Sequence, residues 1–143
     1  MRVDYKKVSP DAIIAMMQLE QYVNQCSLKK PLLELIKIRA SQINGCAYCV
    51  DMHTKEARKA GESERRLYGV AVWRESSFFT DRERAALAWT ESLTLLPQTL
   101  APDEVYQEVR EHFTEKETVE LTMVIITINS WNRLAVSFRK LPE

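Results

Sequence analysis

Glycine is scarce in this chain: three in 143 residues, at positions 45, 61 and 69. Sheet folds usually use more of it on turns, and a dinucleotide-binding loop needs a glycine cluster that three scattered residues do not supply. An excess of one charge is lacking as well. Twenty Lys and Arg balance twenty Asp and Glu, so no net field draws the chain toward nucleic acid or an anionic membrane. No apolar stretch is long enough to span a bilayer, and the N-terminus, Met1 through Lys7, is charged from the start with no apolar segment before a cleavage site. These absences describe a cytoplasmic protein whose partners are small molecules or proteins. Cysteine is also sparse. Three thiols, two of them three positions apart, do not make a secreted disulfide framework; in a reducing compartment such a pair is more often redox-active or metal-binding.

What is present favours helix. The hydrophobic fraction of 45% suffices for one core, no linker or low-complexity stretch divides the chain, and residues 1–143 read as a single domain. Ser9-Pro10-Asp11 is a helix start, with proline at the first helical position, and that helix is expected to reach about Asn24. Pro31 opens a second helix, which Asn44-Gly45 breaks. A third is expected from Cys46 to near Ala60, with Gly61 just past its end, and a short fourth over Ser63 to Val72. Thr80-Asp-Arg-Glu83 and Thr114-Glu-Lys-Glu117 match the capping box. The first box announces a helix to Leu95, followed by a loop bracketed by Pro97 and Pro102, then a helix from Pro102 to His112. The second precedes a β-branched run, Leu121 to Ile128, that propensity alone would make a strand. Its box and its length through Trp131 and Phe138 predict one long helix instead.

The chemistry concentrates in Cys46-Ala-Tyr-Cys49-Val-Asp-Met-His53. With Cys46 in a first helical turn, Cys49 follows at i+3 and His53 four further on, so the three side chains share one face. A helix N-terminus favours the reactive thiolate, and an imidazole can accept a thiol proton. Two thiols at this spacing can close a disulfide once one becomes a sulfenic acid, the logic of a peroxidase or disulfide reductase. Zinc is an open alternative, with Cys46, Cys49 and His53 as three ligands and Cys26 or His112 as a fourth, and so is an inert buried pair. Glu34, an acid in the apolar run Leu32 to Ile38, either orients His53 or pairs with Lys30 or Lys37 at the surface.

Glu34, eleven residues, Cys46-x-x-Cys49, three residues and His53 form a pattern that resembles the core motif of the alkylhydroperoxidase AhpD-like proteins of the carboxymuconolactone decarboxylase superfamily. Phe79 to Trp89 and Ile128 to Leu134 resemble the family's later helices, and the likeness covers positions 30 to 140. The resemblance implies an all-α, AhpD-like helical bundle assembled as a homotrimer or homohexamer. It further implies a thiol-dependent peroxidase in antioxidant defence, with Cys49 peroxidatic, Cys46 resolving, and His53 and Glu34 as the proton relay. No bound cofactor is implied; electrons would come from an external dithiol such as a lipoylated protein. The paired cysteines argue against the decarboxylase branch. Tyr48 stands where the best-characterised members carry a histidine, and a phenol, with an unperturbed pKa of about 10, is a poor proton acceptor at neutral pH. A redox-sensing or scaffolding oligomer with little turnover is the competing reading of the same motif.

The remaining candidates have simpler expectations. Cys26 reads as a spare thiol in a polar linker, and His112 as a cation suited to a helix C-terminus. Trp73, Trp89 and Trp131 read as core or interface. Asn132 and Arg133 read as pocket or subunit-contact residues.

Overall fold

The computed structural model describes all residues, 1–143, as nine α-helices and one 3-10 turn, with no strand. A single turn, α1 (Tyr5–Val8), leads into α2 (Pro10–Gln25), then α3 (Lys30–Ile43) and α4 (Ala47–Lys59). After α5 (Glu64–Gly69) the chain passes through a 3-10 turn (Val70–Glu75) to α6 (Asp81–Thr94), α7 (Leu96–Thr99), α8 (Asp103–His112) and α9 (Glu115–Ser137). The all-α expectation holds, and most helix starts lie within a residue or two of where the local signals put them.

Those starts have identifiable causes. Both capping boxes form: Thr80 Oγ1 accepts from the Glu83 amide while Glu83 accepts from the Thr80 amide, and Thr114 and Glu117 do the same. Pro10 and Pro31 occupy first-turn positions where no intrahelical N–H is needed. Gly61 follows α4 at φ 95°, a left-handed conformation that glycine takes without steric cost. Within α9, Thr118, Thr122 and Thr127 donate their hydroxyls to carbonyls four residues back, which leaves these polar groups satisfied inside the helix.

Three expectations need correction. The fourth helix is shorter than predicted, because Val72 leaves helical geometry (φ −123°, ψ 33°) and the chain continues as a 3-10 turn. The segment after Pro97 is not simply a loop. Pro97 sits in the first turn of α7, and left-handed Leu100 and Ala101 close that helix. Cys26 is not in an open linker: it caps the C-terminus of α2 and packs, partly buried, against the largest apolar cluster.

α3 runs through the middle of the molecule. Leu32, Leu33 and Ile36 join a cluster of 13 buried residues that includes Trp89, Phe113, Leu121 and Ile125, while Leu35 and Ile38 enter a second cluster around Trp73, Phe79 and Leu87. Burying an aliphatic side chain of this size contributes about 1.5–3 kcal/mol, so these clusters supply much of the stability that offsets chain entropy. A third, smaller cluster holds Ala40, Cys46, Cys49, Ile128 and Ala135. The thiols therefore sit where α3, α4 and α9 meet. α2 is different: of its 16 residues only Val23 is buried.

Candidate functional site

The turn between α3 and α4 places the thiols. Gly45 adopts φ 65°, the Cys46 amide donates to Ser41 O at 2.9 Å, and Cys46 becomes the N-cap residue of α4 rather than its first helical residue. One turn on, Cys49 brings its Sγ to 2.6 Å from Cys46 Sγ. Both residues are free thiols and only 2% exposed. They differ in outlook: Cys49 lines a cavity of about 610 Å³, with His53, Glu34, Tyr48 and Trp131, whereas Cys46 lies behind it. A cavity of this size is in the range that holds small organic ligands.

His53, four residues after Cys49, places Nδ1 3.0 Å from Glu34 Oε2. With Glu34 as a carboxylate, Nδ1 carries the proton and donates, and the Nε2 lone pair is left to act as a base. Of the two sequence readings of Glu34, orienting His53 or pairing with a lysine, the structure contains both. Lys37 Nζ lies 4.0 Å from Glu34 Oε1 and 3.4 Å from Glu20 Oε1, and all of Glu34, Lys37 and His53 are buried rather than solvated. Glu20 in turn accepts the Trp131 Nε1 proton at 2.9 Å. A chain of side chains thus runs from Trp131 on α9 through Glu20 on α2 and Lys37 and Glu34 on α3 to His53 on α4.

Asn132 is almost fully buried; it donates to Ser41 Oγ at 3.0 Å, and its Oδ1 accepts from Asn44 Nδ2 at 2.9 Å. Its position beside both sulfurs matters to their charge. The Cys46 thiol is lowered to about 6, foremost by the hydrogen bond from the Cys49 thiol, which outweighs desolvation, with help from the Cys49 backbone, Asn132 and His53. The Cys49 thiol is raised, foremost by that same bond and then by desolvation. The pair therefore holds one proton and one negative charge near neutrality, with the charge on the N-cap sulfur and the S–H on the sulfur that faces the cavity.

The structure brings Cys46, Cys49, His53 and Glu34 together and keeps the other candidates away. Cys26 packs in the main core, and His112 ends α8, where its carbonyl accepts from Arg82. The group whose donor atoms converge, within 4.8 Å of one another, is Glu34, His53 and exposed Glu56. Neither thiol belongs to it, so the proposed zinc set of two cysteines and His53 is not assembled. Arg133 is exposed and bonds back to Asn129, away from the cavity. Trp73 and Trp89 are core as expected, while Trp131 is a cavity wall.

Residues that sequence reasoning did not single out also line the site: Tyr5 from α1, Glu20 from α2 and Met52 from α4. Tyr5 stacks on Phe138, with ring centroids 5.6 Å apart, and the Tyr48 ring lies beneath Lys140 Nζ at 4.6 Å. Aromatic character at these positions was visible, but nothing local tied Tyr5 to a cysteine more than forty positions away.

Comparison with known proteins gives the family and the fold. The profile of the carboxymuconolactone decarboxylase family matches residues 10–92. The uncharacterized protein YdfG of Bacillus subtilis is 47% identical over 136 residues, 95% of this chain and 92% of its own. A crystal structure of a protein of unknown function from Agrobacterium tumefaciens, proposed to be the antioxidant defence protein AhpD, superposes with a TM-score of 0.97 at 47% identity, covering 99% of this chain and 97% of that one. An uncharacterized peroxidase-related protein from Ralstonia eutropha JMP134, described as an alkylhydroperoxidase AhpD core, shares the fold with a TM-score of 0.84 at 22% identity, covering 96% of this chain and 74% of its own.

Proposed function

This chain belongs to the carboxymuconolactone decarboxylase family as an AhpD-like member, and from that premise we propose that it is a thiol-dependent peroxidase that cycles Cys46 and Cys49 between dithiol and disulfide. The observation that carries the reading is the pairing of a cavity-facing sulfur, Cys49, with a second sulfur 2.6 Å behind it. Cys49 attacks the terminal oxygen of a hydroperoxide as its proton passes to the Cys46 thiolate. The S–O bond forms, the O–O bond breaks, and the products are a Cys49 sulfenic acid and an alcohol. Cys46, deprotonated again, then attacks Cys49 and expels the oxygen as hydroxide, which takes a proton from solvent through the cavity to become water, leaving a disulfide that an external dithiol such as a lipoylated protein reduces. His53, held by Glu34 at 3.0 Å, offers Nε2 as the base that moves protons along this wall.

The lining supports an organic peroxide, because Ile13, Met17, Leu33 and Met52 surround the polar floor. Ile14 and Met17 on α2 and Ile126 on α9 are exposed, and assembly into homotrimers or homohexamers, which light scattering would measure, would give such side chains apolar partners. No helix is long and apolar enough to cross a membrane.

The test is peroxide consumption with dihydrolipoamide or dithiothreitol as donor. Wild-type protein is expected to turn over many times, and Cys49→Ser to lose that turnover; an active Cys49→Ser protein refutes the assignment. Consumption of about one peroxide per thiol pair, without turnover, would instead identify a redox sensor.

A further inference from the structure

Tyr5 is the buried polar group of the cavity that the relay does not use. It is 8% exposed, its ring packs on Phe138, and the segment carrying it is tied to the end of α9 by the Arg2 amide donating to Phe138 O at 2.7 Å. Its hydroxyl has no hydrogen-bond partner in the protein. Because no fully buried polar side-chain atom lacks a partner, that hydroxyl opens on the cavity it lines together with Cys49. A hydroxyl so placed is a donor waiting for a ligand oxygen. Tyr5 also precedes the stretch matched by the family profile, which begins at residue 10.

We infer that Tyr5 is a catalytic hydrogen-bond and proton donor to the oxygen that departs from the peroxide. The inference rests on the peroxidase reading. When the Cys49 sulfur bonds to the terminal oxygen, the O–O electrons go to the other oxygen, an alkoxide in the making and a poor leaving group unless protonated. Tyr5 supplies that proton and becomes a phenolate. The Tyr5 phenolate regains a proton from solvent in the cavity, while Cys46, which lies behind Cys49, passes the proton it received to His53 and regains its thiolate for the second step. The net reaction is one thiol, one thiolate, a hydroperoxide and a proton from solvent giving a disulfide, an alcohol and water. Burial, then the neighbouring Tyr48, Cys49 and Cys46, holds the Tyr5 phenol above its ordinary value, which keeps the proton in place until an alkoxide asks for it. Tyr48 is less suited: it is only half-buried, and its ring is engaged by Lys140.

Tyr5→Phe keeps the ring and its packing on Phe138 and removes only the hydroxyl. Wild-type and variant proteins are compared with cumene hydroperoxide, whose leaving alkoxide needs a proton, and with peracetic acid, whose carboxylate does not. The variant is expected to lose about 100-fold in kcat/KM with cumene hydroperoxide, the size of a general-acid contribution, and little with peracetic acid. Its disulfide should be reduced by dihydrolipoamide at the wild-type rate. Equal losses with both oxidants assign Tyr5 a structural part and overturn the inference, as does an unchanged rate with cumene hydroperoxide. A wild-type protein without turnover overturns the peroxidase reading and this role with it, whereas an active wild type beside an equally active Tyr5→Phe protein overturns the role alone.

Discussion

Two faces of α3 are equally buried and built on opposite principles. Leu32, Leu33 and Ile36 fill one with aliphatic volume, while Glu34, Lys37 and Ser41, at i, i+3 and i+7, fill the other with charge and hydrogen bonds. On the aliphatic face any side chain of similar size serves, because burial is non-directional. On the polar face each group is matched: Glu34 to His53 and Lys37, Lys37 also to Glu20, and Ser41 to Asn132 and to the Lys37 carbonyl. The contrast teaches that the site is held by a closed network, in which removing one member leaves its partners exposed to a low-dielectric interior.

Breaking that network should have the largest effect. Lys37→Met leaves Glu20 and Glu34 facing one another without their cation, and loss of one partner from a buried pair costs about 3–5 kcal/mol. Denaturant unfolding is expected to show that loss, together with slower peroxide turnover as Glu34 releases its hold on His53. In a double-mutant cycle, adding Glu20→Gln should recover part of the stability. Strict additivity would mean that Lys37 and Glu20 are not coupled and that their contact holds no part of the network together.

On the aliphatic face the expected cost is similar but its reach is not. Ile36 is fully buried, and Ile36→Ala should destabilise by about 3 kcal/mol through lost transfer energy and a cavity. Thiol alkylation rates in the folded variant should match wild type. If they change, the two faces are mechanically coupled and the contrast fails.

How much of this was legible in the sequence divides along the same line. Cys46, Cys49, His53 and Glu34 were readable because the first three lie within one helix start and Glu34 breaks an apolar pattern on the preceding helix. Capping boxes and prolines gave most boundaries, since each acts within four residues of itself. Glu20 and Trp131 were not readable: their hydrogen bond joins residues 111 positions apart, and neither carries a local signal. Tyr5 was hidden for the same reason. Lys37 was seen only as a surface partner for Glu34, because periodicity reports burial of apolar residues and says nothing about which charge is buried with them. The Val72 kink and the α7 turn escaped because tertiary packing, not propensity, decides such short segments.

A smaller effect follows from the thiol pair. The first proton leaves at Cys46 near 6, so the thiolate is present at neutral pH and is lost as pH falls through that value. Alkylation by iodoacetamide should be level above pH 7 and drop about tenfold per unit below 6, a cost of about 1.4 kcal/mol for each unit. A midpoint near the ordinary thiol value of about 8.5 would show that the Cys49 thiol, foremost, and Asn132 do not hold the charge on Cys46.

The smallest effect concerns helix starts, where the two long capped helices differ in what they carry. Thr80→Ala and Thr114→Ala each remove one capping hydrogen bond and should cost about 1 kcal/mol. Glu83 and Glu117 keep second partners, Arg66 and Arg82, which limits the loss. α6 brings no side chain to the cavity, whereas α9 delivers Trp131 to its wall and Asn132 to the sulfurs. Both variants should nevertheless turn over peroxide at the wild-type rate, because Asn44, Ser41 and Glu20 fix that end of α9 from the side. A slower Thr114→Ala protein beside a normal Thr80→Ala one would mean that the register of α9 is set at its capped start, and that the site depends on a hydrogen bond about five helical turns away.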